Sequence, residues 1–249
     1  MTPLLQSLSD LFLAPICLGC RGAMSPDDRA RPVCGRCRSL LAQPAPPLCG
    51  RCGATLLMTG RLAGPTCTDC REWPPALRFA RSACLYEPPA DELVHALKYH
   101  GWRVAVDAMV ERMAAVRLPA EVEREARICV PVPTAAARRR QRGYDQAALL
   151  ARAYARLTGR DFAEALLRSG NAVTQTALQP VARGANVAGG FRAAERVATL
   201  LTGAHVLLVD DVLTTGATAA ECVRTLTAAG VRCVSLITFA RALVARSRT

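Results

Sequence analysis

VLLVDDVLTTGAT, residues 206–218, decides the fold. Its first four residues are aliphatic, a run too short for most helices, and read as a strand buried within a parallel sheet. Asp210 and Asp211 follow at the carboxyl end of that strand, where open α/β sheets place their ligands. Thr214, Thr215, Gly216, Ala217 and Thr218 form a turn that runs into a helix. Backbone N–H groups, hydroxyl donors and a positive helix end make such a turn receptive to an anion. Carboxylates repel a phosphate, so the aspartates must face another part of the ligand, either sugar hydroxyls or a hydrated metal. Together the parts describe a sugar-phosphate pocket. The blander reading is a buried strand, an acidic turn and threonines that merely cap a helix; it suits a lone aspartate pair better than the whole string.

Two other nucleotide motifs do not compete. The chain has no G-x-x-x-x-G-K-[ST], and no G-x-G-x-x-G follows an expected strand. Residues 206–218 resemble the phosphoribosyl-pyrophosphate (PRPP) motif of type I phosphoribosyltransferases. That resemblance implies an α/β fold, a mostly parallel sheet flanked by helices. It gives Asp210 and Asp211 the ribose 2′- and 3′-hydroxyls and a catalytic role, and gives the turn Thr214, Thr215, Gly216, Ala217 and Thr218 the 5′-phosphate. In such a reaction pyrophosphate leaves C1′ as an incoming nitrogen arrives, so the leaving group needs cationic stabilisation. Mg²⁺ bridging PRPP oxygens fits that need, with Asp210 and Asp211 as outer-sphere partners.

At 249 residues the chain has room for a medium domain and a small one, and half of its residues are apolar. The formal charge of +12 is carried almost wholly by arginine, because Lys98 is the only lysine. A pI near 9.6 is compatible with nucleic acid or polyphosphate ligands. Residues 1–14 lack a basic leader-type start, contain Asp10, and space Leu4, Leu5, Leu8, Leu11 and Phe12 as a helix would. No run of about eighteen apolar residues occurs, so no membrane span is expected. The expected location is the cytoplasm.

Eight of the twelve cysteines form four C-x-x-C pairs: Cys17/Cys20, Cys34/Cys37, Cys49/Cys52 and Cys67/Cys70. In a reducing compartment this spacing points to metal rather than to disulfides. Two C-x-x-C turns aim four thiolates at one tetrahedral centre, so eight cysteines suit two structural zinc ions. Zinc held as thiolates would lower the net charge to about +8. Sequential pairing makes two ribbons; interleaved pairing also satisfies the spacing. Gly19, Gly35, Gly50 and Gly53 suit the tight knuckles. Glu72-Trp73-Pro74-Pro75 ends the module, which predicts a zinc-ribbon module over residues 1–75 and a second domain over 76–249.

Between the module and the motif, residues 79–87 read as a strand and 92–99 and 104–117 as helices. Residues 127–132 form a short strand ending in V-P-V-P, where prolines halt pairing. A loop holding Arg138, Arg139, Arg140, Arg142 and Gly143 follows, and a helix starts near Asp145. The order of ribbon module, Y-x-P-P-x-x-E-L-V-H-x-L-K-Y (86–99), V-P-V-P (130–133), R-x-R-G-Y-D-Q-A (140–147) and the PRPP string resembles the ComF family, from about Leu11 to Arg241. Residues 174–191 also fit that family's flexible-loop region. Two positions depart from its pattern, Asp145 in place of asparagine and Gly190 in place of alanine.

The ComF resemblance implies a PRPP-binding, phosphoribosyltransferase-like protein of natural competence and DNA uptake that handles incoming single-stranded DNA. Competence-machinery proteins are implied as further partners. It also puts pyrophosphate at the loop of Val132, Pro133, Arg138, Arg140 and Arg142; the arginines suit either that anion or a solvated, nucleic-acid-facing surface. Residues 174–186 read as a lid or as a plain surface loop. Lys98 reads equally as a substrate contact or as a snorkelling side chain. His95, His100 and His205 show no metal spacing, and Cys84, Cys129, Cys222 and Cys233 read as small buried hydrophobes. Only eleven residues are Phe, Tyr or Trp, which favours backbone electrostatics over base stacking for any DNA contact. A nucleobase-salvage phosphoribosyltransferase and a non-enzymatic PRPP-sensing adaptor remain open beside this reading, and no residue declares the acceptor. Elemental analysis of the purified chain is expected to find about two zinc ions per chain, and a metal-free protein would refute the ribbon reading.

Overall fold

The computed structural model describes residues 15–56, 67–168 and 190–242. Residues 1–14 and the polar segment 174–186 lie outside them. A short helix α1 (Gly35–Ser39) in the cysteine-rich region precedes β1 (Leu77–Leu85), α2 (Ala90–Tyr99), α3 (Ala105–Ala114), α4 (Ala120–Glu125) and β2 (Ile128–Pro131). Next come α5 (Ala136–Arg142), α6 (Gln146–Thr158), β3 (Asp161–Phe162), β4 (Leu166–Arg168) and β5 (Phe191–Ala193). The chain continues through α7 (Glu195–Leu201), β6 (His205–Leu213), α8 (Ala217–Ala228) and β7 (Cys233–Arg241). Five strands form one sheet in the order β1-β7-β6-β2-β3, every pair parallel, while β4 and β5 form a separate antiparallel pair. This is the expected parallel sheet flanked by helices. Among the described residues no helix is long and apolar enough to cross a membrane.

The aliphatic run explains the sheet. Successive strand residues face opposite sides, and Leu207 and Val209 enter one core while Val206 and Leu208 enter the other, all four fully buried. The first core includes α2, α3 and α6 through Leu93, Leu97, Met109, Leu150 and Tyr154. The second includes α8 through Cys222, Val223 and Leu226. Each cysteine ribbon joins a different core. Cys17, Leu18, Met24, Val33, Cys37 and Leu41 belong to the first, and Cys49, Cys52, Ala54, Cys70 and Trp73 to the second.

The ribbon region therefore wraps the open edge at β1. Ala80 N–H donates to Arg51 O at 2.8 Å and Leu85 N–H to Ala42 O at 2.7 Å, which satisfies backbone groups that an edge strand would otherwise expose. The two ribbons repeat one local pattern. Cys17 N–H reaches Gly22 O and Arg21 N–H reaches Cys17 O, as Cys49 N–H reaches Ala54 O and Gly53 N–H reaches Cys49 O. The residue after the second cysteine is left-handed in both knuckles, Gly53 at φ 70° and Arg21 at φ 60°. Arg21 holds that conformation without glycine's freedom; its guanidinium pairs with Glu92 at 3.4 Å and lies over the Trp102 ring.

Two local expectations need correction. The strand carrying the aspartates continues to Leu213, because β7 remains beside it: Asp210 pairs with Thr238 and Leu213 with Arg241. The arginine segment is helical over Ala136–Arg142 rather than a loop. Alanine and arginine are good helix formers, and Gly143, left-handed at φ 77°, closes the helix with its N–H on Arg139 O. Helix α8 is capped at Ala229, with Gly230 one step beyond at φ 95°.

Candidate functional site

Connections diverge between β2 and β6. The chain leaves β2 for β3 on one side and leaves β6 for β7 on the other. The crevice above their carboxyl ends is thus a topological switch point, where open α/β sheets bind ligands. β2 ends at Pro131, opposite Val209, and a last N–H from Val132 reaches Val209 O at 2.9 Å. Asp210 and Asp211 lie just past that point, with Val132, Pro133 and Thr134 across the crevice.

Asp211 is 4 % exposed, and its Oδ1 lies 2.9 Å from Lys98 Nζ. Its Oδ2 is buried with no hydrogen-bond partner among the described residues. Helix α2 supplies Lys98 from its last turn, while Leu93 and Leu97 anchor the same helix in the core. The only lysine of the chain is therefore the counter-ion of an aspartate in the motif. Asp210, half-buried on the opposite side of the strand, accepts the Asp211 N–H on Oδ1 at 2.8 Å. Its confinement in the sheet and the Asp211 charge beside it hold its carboxyl well above the ordinary range.

The turn presents Thr214, Thr215, Ala217 and Thr218 to solvent and buries Gly216. Gly216 is left-handed at φ 82° and precedes the twelve-residue α8. Above it lies Trp73, whose indole N–H donates to Thr215 O at 3.1 Å. On the β2 side, Thr134 N–H and Oγ1 lie 2.9 and 3.1 Å from the Asp145 carboxylate, which also caps α6 through Ala148 N–H. Every partner there is a donor, so a carboxylate serves as well as the family's asparagine.

The arginines divide. Arg142 is half-buried, donates to Gln146 Oε1 at 2.9 Å and stacks over Tyr99. Arg138, Arg139 and Arg140 are exposed on α5. His205, remote from the switch point, lies 2.9 Å from Ser235 Oγ and 3.5 Å from Glu125. Glu121, Glu125 and His205 do converge, against expectation. Arg232, however, already pairs with Glu125 at 2.5 Å.

The eight cysteines group sequentially. The sulfurs of Cys17, Cys20, Cys34 and Cys37 lie within 4.8 Å of one another, as do those of Cys49, Cys52, Cys67 and Cys70. A tetrahedral zinc thiolate with Zn–S near 2.3 Å puts sulfurs about 3.8 Å apart. Four of the S···S separations here are 4.0, 3.8, 3.4 and 3.8 Å. Burial opposes ionisation of Cys17 and Cys49, but backbone N–H groups outweigh it and bring the thiols down to about 7 and about 6. The donor set fits two closed structural zinc sites.

Because Asp210 titrates above its unfolded value, near 3.9, its ionisation costs the folded state. That cost is absent below the unfolded pKa, grows as pH rises from it towards the folded one, and is complete above the folded one. Asp210→Asn is expected to raise Tm by about 2–4 °C near pH 8, a gain that shrinks as pH falls towards the unfolded value. Thermal melts showing no gain near pH 8 would reject the assignment.

Residues 146–248 match the phosphoribosyl transferase domain family and residues 8–73 the double zinc ribbon domain family. The DNA utilization protein YhgH of Salmonella typhi is 30% identical over 188 residues, which cover 71% of this chain and 78% of the relative. Its counterpart in Escherichia coli O6:H1 (strain CFT073) is 28% identical over the same extent. A solved structure of the allosteric regulatory enzyme of purine biosynthesis aligns with 56% of this chain and 25% of its own, at TM-score 0.35 and 24% identity. That overlap is too slight to bear on the fold. With a phosphoribosyltransferase domain, a double zinc ribbon and YhgH proteins as relatives, the chain belongs to the ComF family.

Proposed function

We propose that the chain binds PRPP at the β2/β6 crevice and handles incoming single-stranded DNA in the cytoplasm during DNA uptake. The observation that carries this reading is Asp211. Its buried Oδ2 lacks a partner among the described residues while Lys98 neutralises Oδ1, so one acceptor is held ready beside an anion-receptive turn. A ribose hydroxyl suits that acceptor, and Asp210 would take the neighbouring hydroxyl. A carboxyl held above its usual range donates as well as accepts when it carries its proton, which relieves repulsion between the two aspartates. The 5′-phosphate would lie on the N–H groups and hydroxyls of residues 214–218. Mg²⁺ bound with PRPP supplies charge neutralisation of pyrophosphate, and the carboxylates of Asp210 and Asp211 suit its waters. Arg142, already braced by Gln146 and Tyr99, is the arginine best placed to meet pyrophosphate from the β2 side.

In this reading residues 1–75 are a zinc-holding module and 76–249 the PRPP-binding domain. DNA handling is supported by the relatives' name, DNA utilization protein, by the charge of +12 and by the exposed row Arg138, Arg139 and Arg140. Competence-machinery proteins are the further partners it anticipates.

Calorimetry with PRPP and Mg²⁺ is expected to show binding by the wild type and none by Asp210→Asn/Asp211→Asn. A silent wild type would overturn the proposal, and equal binding by the variant would reject the carboxylate roles. Pyrophosphate release with one base of a nucleobase panel would instead identify a salvage phosphoribosyltransferase, whereas PRPP that shifts DNA affinity without turnover would identify a sensor. For DNA, replacing Arg138, Arg139 and Arg140 by alanine is expected to weaken single-strand binding and flatten its log–log salt slope by about 2, at roughly 0.7 per phosphate contact. An unchanged slope would move the DNA surface elsewhere.

A further inference from the structure

Trp73 belongs by sequence to the cysteine module, three residues after Cys70, yet it lies on the turn of the PRPP motif. Its side chain is buried, and its indole N–H donates to Thr215 O. A Cβ built on Gly216 would come within 2.5–2.7 Å of ring atoms Cζ2, Cε2 and Nε1, so the indole lies directly against the glycine backbone. Glycine is thus required here twice, by the left-handed φ and by the ring. In a planar trans peptide the C=O and N–H point in opposite directions. Pinning Thr215 C=O to the indole therefore turns the Gly216 N–H away from the ribbon and towards the open side of the turn.

The second ribbon holds Trp73 in place. Arg51, between Cys49 and Cys52 on the facing knuckle, donates to Cys70 O at 2.8 Å, Trp73 O at 3.1 Å, Pro74 O at 2.6 Å and Leu77 O at 3.0 Å. Trp73 N–H closes onto Cys70 O at 3.2 Å. A second link reaches the other end of the turn. Arg241, whose register partner is Leu213, donates to Cys52 O at 2.9 Å and pairs with Asp69 at 3.3 Å. The knuckles carrying Cys49/Cys52 and Cys67/Cys70 are thus tied to both flanks of residues 214–216.

We infer that Trp73 is a positioning residue for the phosphate-binding turn, through which metal loading of the Cys49/Cys52/Cys67/Cys70 site sets the affinity for a sugar phosphate. This rests on the PRPP reading of the turn. The Cys17/Cys20/Cys34/Cys37 site, packed in the other core, does not share the role.

The test uses the full chain with Trp102→Phe, which leaves Trp73 as the only tryptophan. PRPP with Mg²⁺ is expected to shift Trp73 emission, and Cys67→Ser to weaken PRPP binding about tenfold while Cys20→Ser leaves it unchanged. In the wild-type background, Trp73→Ala is expected to bind PRPP about tenfold more weakly with its zinc content intact, and Trp73→Phe, which keeps a ring without the N–H, to fall between. Wild-type protein that binds no PRPP removes the pocket and this coupling together. Wild-type binding with unchanged affinity in zinc-loaded Trp73→Ala overturns the coupling alone. Should Trp73→Ala not fold, an emission unmoved by saturating PRPP and full affinity in Trp73→Phe overturn it equally.

Discussion

Parallel strands need cover on both faces, because neither face of such a sheet is made for water. In this chain the helices do not provide that cover alone. The cysteine ribbons complete it at the β1 edge, one on each face, and hand backbone acceptors to Ala80 and Leu85. A C-x-x-C knuckle is too small to have a core of its own, so its buried cysteines and leucines share the core of the sheet. A buried tryptophan such as Trp73 removes roughly 150–250 Å² from water, worth about 4–6 kcal/mol at ~25 cal/mol per Å². That contribution joins ribbon and sheet, and it acts beside the PRPP-motif turn.

The same packing sets the electrostatics of the crevice. β2 stops at Pro131 while β6 runs on beside β7, so two carboxylates sit in a sheet that has lost one neighbour. Asp211 is buried deeply enough that an unpaired charge would cost about 3–5 kcal/mol, and Lys98 offsets it. Asp210 accepts the Asp211 N–H, and its burial together with the repulsion of its neighbour raises its affinity for a proton. One aspartate has a cationic partner, and the other holds a proton more tightly than a free carboxyl does. For a site receiving neutral hydroxyls beside a polyanion, that division of roles is useful.

Much of this was legible from residue order. The aliphatic run, the paired aspartates and the Thr/Gly turn carry their own periodicity and turn chemistry, and they mark the strand, the helix start and the crevice. Four C-x-x-C spacings mark two four-thiolate sites, though not which pairs combine. In the arginine segment a cluster of charges resembles a loop, whereas the alanines before it and Gly143 after it favour the helix that forms. Lys98 stood out only by being the single lysine. The meeting of Glu121, Glu125 and His205 left no spacing signal at all.

What residue order determines by itself is whatever lies within one strand, turn or knuckle: the motif of residues 206–218, the C-x-x-C knuckles and the Asp145 helix cap. Those depend on backbone preferences and hydrogen bonds spanning a few positions, so the local sequence suffices. Only the tertiary structure decided that Lys98 neutralises Asp211, that the ribbons divide between the two faces, and that Trp73 meets Thr215 across 142 positions. Contacts of that kind follow from how both faces of the sheet are filled, and the packing of side chains from distant segments has no period in the sequence to announce it.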